Sequence, residues 1–184
     1  MAAFPDCDSM AGLDWINAAS PAESEAALFR CCGCAGWAAA LTAARPFASP
    51  DALFDAAAKA WAKASRADIL EAFSHHPRIG DRESLRTRFP DTHAWSSAEQ
   101  GAVAGAAESV LDELARANDE YEARFGYIFI VCASGLTAPE MLALSRARLG
   151  NDPDTELKIA AAEQMKITRL RLEKLMQEAP GVHA

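Results

Sequence analysis

A short polar stretch between two predicted helices carries the side chains best suited to proton transfer. Residues 74–81 read Ser-His-His-Pro-Arg-Ile-Gly-Asp and hold two of the chain's four histidines. Pro77 fixes its own φ and disfavours the α region for the preceding residue, so the backbone aims the His76 imidazole in a defined direction. An imidazole titrates near neutral pH and can act as a general acid or base. The same residues also fit an ordinary helix end, where the last turn favours cations and Pro and Gly stop the helix.

A second group of candidate site residues lies at a predicted helix start further along the chain. Ser96 and Glu99 fit a capping box, in which each side chain satisfies a main-chain N–H at the beginning of a helix. That interpretation explains both residues structurally. The alternative is that this helix N-terminus binds an anionic or carbonyl-rich ligand, which Glu99 and Gln100 would also contact. From these residues alone, both interpretations stay open.

Helices must position these side chains, because cap residues and apolar residues at helical spacing recur along the chain. Helix starts are predicted at Ser20, Ser49, Ser65, Ser96, Thr137 and Asp152. The helix that follows Ser65 runs into His75, which places the two imidazoles at a helix C-terminal end. There is no internal repeat, low-complexity tract or linker. The fold class is therefore predicted to be all-α, a single-domain multi-helix bundle over residues 1–184.

The apolar run at residues 127–133, Tyr-Ile-Phe-Ile-Val-Cys-Ala, fits either a helix or a strand. Its β-branched residues are typical of a buried strand. A lone strand cannot satisfy its main-chain hydrogen bonds, and no other stretch of the chain supplies a partner. We therefore predict a buried helix here, with or without a kink. Gly126 and Gly135 flank the run and would let a ligand approach the main chain.

Composition narrows the classes of partner and location. A chain of 184 residues can bury one sizeable core, and its net charge of −8 argues against nucleic acid and anionic membranes as partners. No apolar run reaches the roughly 18 residues of a membrane-spanning helix. The first residues show no secretory signal, and the last residues show no peroxisomal Ser-Lys-Leu address. We expect a soluble, cytoplasmic protein.

Cysteines and histidines raise the question of a metal. Three of the five cysteines are clustered at Cys31, Cys32 and Cys34, without the second Cys or His pair that a zinc site needs. Their helical spacing favours core packing over metal or redox work. A metal enzyme using His75, His76, Asp81 and His93 is an alternative. It is disfavoured because adjacent histidines point to different sides of the backbone.

Several motifs in a fixed order resemble the OHCU decarboxylase family. They are His76 to Asp81, Trp95-Ser96 with Glu99-Gln100, Asn118 to Tyr121, Arg124 to Gly126, and Lys166-Ile167-Thr168 leading to Arg171-Leu172. Trp37 and Arg45-Pro46-Phe47 extend the resemblance, so that it covers about residues 12–176. The family acts on 2-oxo-4-hydroxy-4-carboxy-5-ureidoimidazoline (OHCU), the last intermediate between urate and allantoin.

This resemblance implies an all-α, cofactor-free enzyme without a metal, typically a homodimer, that converts OHCU to S-allantoin and CO₂. The catalytic histidine of the family matches His76. Where the chain has His75, family members often have a small residue. An arginine of the last helix is also implied, and Arg171 fits the lysine-isoleucine-x-x-x-arginine spacing better than the alternative Arg169. The remaining substrate-binding residues that the resemblance implies are Pro77, Ser96, Glu99, Gln100 and main-chain groups within Phe129 to Ala133, namely Ile130, Val131, Cys132 and Ala133.

The implied chemistry gives these residues roles. Loss of CO₂ leaves negative charge on a ring carbon, so hydrogen-bond donors must wait where that charge develops. We predict that His76 is the acid/base, Glu99 its electrostatic partner, and Arg171 the clamp for the substrate anion. Without the resemblance, the same residues would suggest a helical ligand-binding or adaptor module whose polar cluster closes a helix junction.

Overall fold

The structure is a computed structural model that describes residues 7–76 and 100–178, with side chains described for 10–76 and 109–178. These ranges contain helices and connecting segments but no strand, which confirms the all-α prediction. None of the helices in the described ranges is both long and apolar enough to cross a lipid bilayer. The helices are α1 (Cys7–Ala18), α2 (Pro21–Cys32), α3 (Ala35–Ala43), α4 (Pro50–Trp61), α5 (Arg66–Ser74), α6 (Gln100–Phe125), α7 (Ala138–Arg148) and α8 (Pro153–Glu178).

Cap residues set the helix starts, as predicted. At the start of α2, the Ser20 hydroxyl accepts from the Glu23 N–H at 3.3 Å, and the Glu23 carboxylate accepts from the Ser20 N–H at 3.1 Å. Such a capping box satisfies two main-chain N–H donors that otherwise lack partners at a helix start. The same reciprocal pair begins α5 and α7, formed by Ser65 with Asp68 and by Thr137 with Glu140.

Two compact units make up the fold. The first contains the described residues up to His75 together with residues 162–178, and the second contains His76 and residues 100–161. Side chains at most 2% exposed form the core of each unit. They include Leu13, Leu28, Leu53, Phe73 and Leu172 in the first unit, and Leu114, Tyr121, Ile130 and Met141 in the second.

Helix α1 was not predicted from the sequence. Its start carries no Ser-Pro or capping-box signal, and the helix is held instead by packing, with Leu13 and Ile16 each 1% exposed. The Arg45 guanidinium donates from Nη1 to the carbonyls of Ile16 and Ala19, both at 2.8 Å. Arg45 therefore satisfies acceptors at the end of α1, which gives the Arg45-Pro46-Phe47 motif a structural role.

Side chains of α8 complete the end of α2. Gly33 ends α2 in the left-handed region at φ +74°, which favours glycine. The Gln164 amide donates from Nε2 to the Cys32 carbonyl at 3.1 Å, and Arg171 donates from Nη1 to the Cys31 carbonyl at 3.4 Å. The last carbonyls of α2 thus bind donors from a helix more than a hundred residues away in sequence.

The clustered cysteines lie in the core, as predicted. Cys31, Cys32 and Cys34 are 4%, 0% and 1% exposed. Burial raises the pKa of Cys31 to about 11 and that of Cys32 to about 12. These thiols therefore stay protonated at neutral pH and pack as small apolar side chains.

The prediction of a helix at residues 127–133 is wrong. The chain there is neither helix nor strand, although Ile130 is only 2% exposed. Gly126 turns the chain out of α6 at φ +79°. The carbonyl of Ile130 accepts from Arg148 Nη1 at 2.8 Å. A side-chain donor therefore satisfies the Ile130 carbonyl in place of a helical N–H, and the sequence pattern does not reveal that donor.

Candidate active site

The two histidines follow α5 directly, as predicted. The His75 N–H donates to the Ala72 carbonyl at 3.3 Å, and the His75 ring meets the Phe29 ring edge-on with centroids 5.0 Å apart. A Cβ added to Gly33 would lie 2.8 Å from the Cβ of His75. His75 is thus packed against the end of α2, which agrees with its prediction as a helix-end residue.

His76 is half-buried and lies in a bend just after α5. Gln100 is the first residue of α6, and its side chain lies outside the described part of the structure. Three more predicted site residues, Pro77, Ser96 and Glu99, also fall outside the described residues, as do Asp81 and His93 of the metal alternative.

The predicted main-chain binding segment is unevenly exposed. Ile130 and Val131 are 2% and 7% exposed, whereas Cys132 and Ala133 are half-buried. A ligand can therefore reach Cys132 and Ala133 more easily than the residues at the start of the segment.

The two candidate arginines of α8 have different surroundings. Arg171 is half-buried, and its contact with the Cys31 carbonyl uses one of the five N–H donors of a guanidinium. Arg169 is exposed, lies 4.1 Å from the centroid of the Phe54 ring, and donates from Nε to Glu173 at 3.1 Å. Arg169 is thus held at the surface by an aromatic ring and a carboxylate.

A buried ionic network, which the sequence pattern does not predict, lies beside the predicted binding segment. Glu156, 0% exposed, accepts at Oε1 from Arg148 Nε at 2.7 Å and from the Tyr121 hydroxyl, and at Oε2 from Asn151 Nδ2 at 2.7 Å. Arg148, 8% exposed, also donates to the Ile130 carbonyl. Burial and the bond to Glu156 raise the pKa of Tyr121, so its hydroxyl stays protonated as a donor.

The network was missed because its charged residues suit helix ends at a surface. Arg148 lies at the end of α7, and Glu156 lies in the first turn of α8. Each charge has the sign that stabilises the dipole of its own helix, so neither residue by itself indicates a partner. The available signal was the short turn at residues 149–152, which brings one helix end close to the next helix start.

Cys34, Asp68 and Glu71 hold their potential ligand atoms within 4.8 Å of one another. Each has a local structural role. The Cys34 sulfur accepts from the Trp37 N–H at 3.4 Å, the Glu71 carboxylate accepts from the Ala35 N–H at 3.3 Å, and Asp68 belongs to the box that begins α5. Helix capping therefore explains this cluster.

Comparison with known proteins places the chain in one family. The family model of OHCU decarboxylase matches residues 17–173. The uric acid degradation bifunctional protein TTL of Arabidopsis thaliana is 40% identical over 152 residues, which are 83% of this chain and 47% of that protein. The 2-oxo-4-hydroxy-4-carboxy-5-ureidoimidazoline decarboxylase of Amia calva is 32% identical over 59% of this chain and 61% of its own length. The chain therefore spans about half to three fifths of the length of these relatives.

A solved structure agrees with these matches. The crystal structure of OHCU decarboxylase in the presence of (S)-allantoin superposes with a TM-score of 0.66 at 39% sequence identity. The superposition covers 82% of this chain and 96% of that one. The helices described above are thus shared over most of both chains, and the chain belongs to the OHCU decarboxylase family.

Proposed function

We propose that this chain decarboxylates OHCU to S-allantoin and CO₂, the last step from urate to allantoin. Family membership over residues 17–173 carries the proposal. The similarity to a decarboxylase structure determined in the presence of (S)-allantoin supports the identity of the product.

The reaction requires controlled movement of protons. Breaking the bond between the ring carbon and the carboxylate releases CO₂ and leaves the electron pair on that carbon, delocalised through the adjacent carbon of the imine onto its ring nitrogen. The hydroxyl on the same carbon then gives up its proton as a carbonyl forms. The ring nitrogen and the neighbouring carbon each gain a proton, so one proton is consumed overall. Protonation of the carbon from one face sets the single enantiomer of allantoin.

His76 is proposed as the acid/base that moves these protons. His76 is half-buried. An imidazole can take the hydroxyl proton and return it to the neighbouring ring carbon, because histidine as a residue type exchanges protons near neutral pH. Glu99 is proposed to hydrogen-bond the substrate hydroxyl or to hold His76 in its protonated form. Pro77, Ser96 and Gln100 are proposed as substrate contacts with Glu99, on the strength of the family resemblance.

Arg171 is proposed as the anion clamp in preference to Arg169. A guanidinium can bind a carboxylate through two parallel hydrogen bonds. The ring and carboxylate that hold Arg169 compete with such a contact. Arg171 has a longer bond to one carbonyl, which leaves more of its donors for a ligand.

The experiment is to generate OHCU from urate in situ and follow the circular dichroism of the product with and without the chain. We expect faster decay of OHCU and an optical signal of one enantiomer, unchanged after exhaustive chelation of metals. Decay at the spontaneous rate, giving racemic allantoin, would contradict the proposal. A thermal shift with allantoin without turnover would instead favour a ligand-binding module.

We also propose that the chain is one domain, forms a homodimer and works in the cytoplasm without a cofactor. The homodimer and the lack of a cofactor rest on the family resemblance. The acidic composition, with a net charge of −8, supports a small-molecule substrate rather than nucleic acid or a membrane surface. Light scattering coupled to size exclusion would show twice the mass of the chain for a homodimer.

A further inference from the structure

The ionic network of the second unit reaches the main chain at one point. Arg148 donates to the Glu156 carboxylate at 2.7 Å through Nε, to the Tyr121 hydroxyl at 3.3 Å through Nη2, and to the Ile130 carbonyl at 2.8 Å through Nη1. Its guanidinium also lies 4.8 Å from the centroid of the Phe129 ring. One buried side chain thus holds two consecutive residues of the segment between α6 and α7.

Stability alone does not explain a buried ion pair at this position. Removing two charges from water is costly, and well-packed apolar side chains often give equal or greater stability. What apolar side chains cannot supply is a fixed hydrogen bond to a main-chain carbonyl. Because the guanidinium is a rigid planar fork, Glu156 and Tyr121 fix the direction in which Arg148 presents Nη1 to Ile130.

The segment needs such an external anchor. It lies outside helix and strand, so regular main-chain hydrogen bonding does not define its path. It is flanked by Gly126 at φ +79° and Gly135 at φ +78°, residues with wide conformational freedom. The anchored residues are buried, while Cys132 and Ala133 beyond them are half-buried.

We propose that Arg148, oriented by Glu156 and Tyr121, is a positioning residue that fixes the main chain at Ile130 so that Cys132 and Ala133 meet the substrate. This inference rests on the proposed function and on the family resemblance, which implies substrate contacts with the main chain of this segment. It also refines that assignment, because the Ile130 carbonyl is bound to Arg148 and the substrate contacts fall later in the segment.

The test compares Arg148→Lys with Arg146→Lys. Lysine keeps the positive charge but cannot contact Glu156 and Ile130 through a rigid fork. Arg146 lies on the same helix and pairs with Glu113 at 2.7 Å on the surface, so it controls for loss of a guanidinium. Tyr121→Phe is a milder variant that keeps the ring, 5.2 Å from Phe129, and removes one contact that orients the network.

Two readouts separate positioning from general stability. The first is KM and kcat for OHCU. The second is the rate at which a thiol reagent labels Cys132 in a Cys7→Ser background, far below the melting temperature. Cys132 is half-buried whereas the other described cysteines are buried, so its labelling reports the order of the segment.

For Arg148→Lys we expect KM to rise roughly tenfold while kcat stays within about threefold, because substrate contacts shift more than the proton-transfer groups. Cys132 labelling should accelerate by a similar factor, and Tyr121→Phe should change both in the same direction by about twofold. Arg146→Lys should change neither.

A folded Arg148→Lys with the KM and labelling rate of Arg146→Lys would overturn the inference, even if its melting temperature were lower. If Arg148→Lys does not fold, the inference is overturned when Tyr121→Phe has the KM and the Cys132 labelling rate of the native chain. The labelling arm needs no turnover. An inactive native chain would therefore contradict the proposed function, while unchanged Cys132 labelling would contradict the positioning role of Arg148.

Discussion

Arg171 and Arg169 lie two residues apart on α8, and the difference in their surroundings predicts different effects on substrate binding. Arg171→Lys should raise KM about tenfold or more, because lysine cannot bind a carboxylate through two hydrogen bonds. For Arg169→Lys, KM should stay within about twofold of the native value. Exposed ion pairs such as the one between Arg169 and Glu173 contribute little free energy. Initial rates over a range of OHCU concentrations measure both. A larger effect at Arg169 would show that the clamp is assigned to the wrong residue.

Burial predicts which thiols react. Cys31 and Cys32 have pKa values raised by burial to about 11 and about 12, so very little thiolate is present at pH 8. Burial also raises the pKa of Cys34. Mass spectrometry after labelling of the native chain should find these three unmodified and Cys132 modified, with all of them modified in denaturant. Modification of Cys31 or Cys32 in the folded chain would contradict their core position.

At single residues, local chemistry supports some predictions and not others. Pro77 is the basis for predicting that His76 rather than His75 is the acid/base, because a proline constrains the residue before it. The role of Arg148 could not be predicted, because its partner Ile130 lies 18 residues away and no local pattern links them.

At the scale of helices, the capping boxes predict how stability depends on pH. Hydrogen bonds from Ser20, Ser65 and Thr137 lower the pKa of Glu23, Asp68 and Glu140 from ordinary values of 4.5, 3.8 and 4.5. Each carboxylate therefore stabilises the fold above its unfolded pKa. That contribution is lost as the pH falls through the lower, folded pKa.

We expect the melting temperature to decrease as the pH drops below about 4.5. The decrease should be less steep in the triple variant Glu23→Gln, Asp68→Asn, Glu140→Gln. Glu25 is exposed in α2 and lies outside the capping box of Ser20 and Glu23, so Glu25→Gln should show the same dependence of melting temperature on pH as the native chain. Thermal melts between pH 3 and pH 7 would measure this. A triple variant with the same acid dependence as the native chain would show that the caps do not contribute to it.

Most helix starts could be predicted because cap chemistry acts within three residues. Helix α1 and the segment at residues 127–133 could not. In both cases the deciding group is distant in sequence, Arg45 for the end of α1 and Arg148 for the segment. Tertiary contacts of this kind override local propensity.

At the scale of the whole molecule, the family match extends over residues 17–173 and thus includes helices of both compact units. Several residues that carried the resemblance have structural roles, such as Arg45 at the end of α1 and Tyr121 in the buried network. A family motif therefore marks the shared fold as well as the catalytic chemistry, and the two must be separated by experiment.

The most direct measurement compares the native chain, His75→Asn and His76→Asn in the conversion of OHCU generated from urate, followed by circular dichroism. The adjacent pair is a matched control, because His75 packs against Phe29 and has no proposed role in proton transfer. We predict that His76→Asn slows the reaction by about 10²- to 10⁴-fold while His75→Asn keeps most of the native rate. If His76→Asn forms S-allantoin as fast as the native chain, His76 is not the acid/base of this reaction.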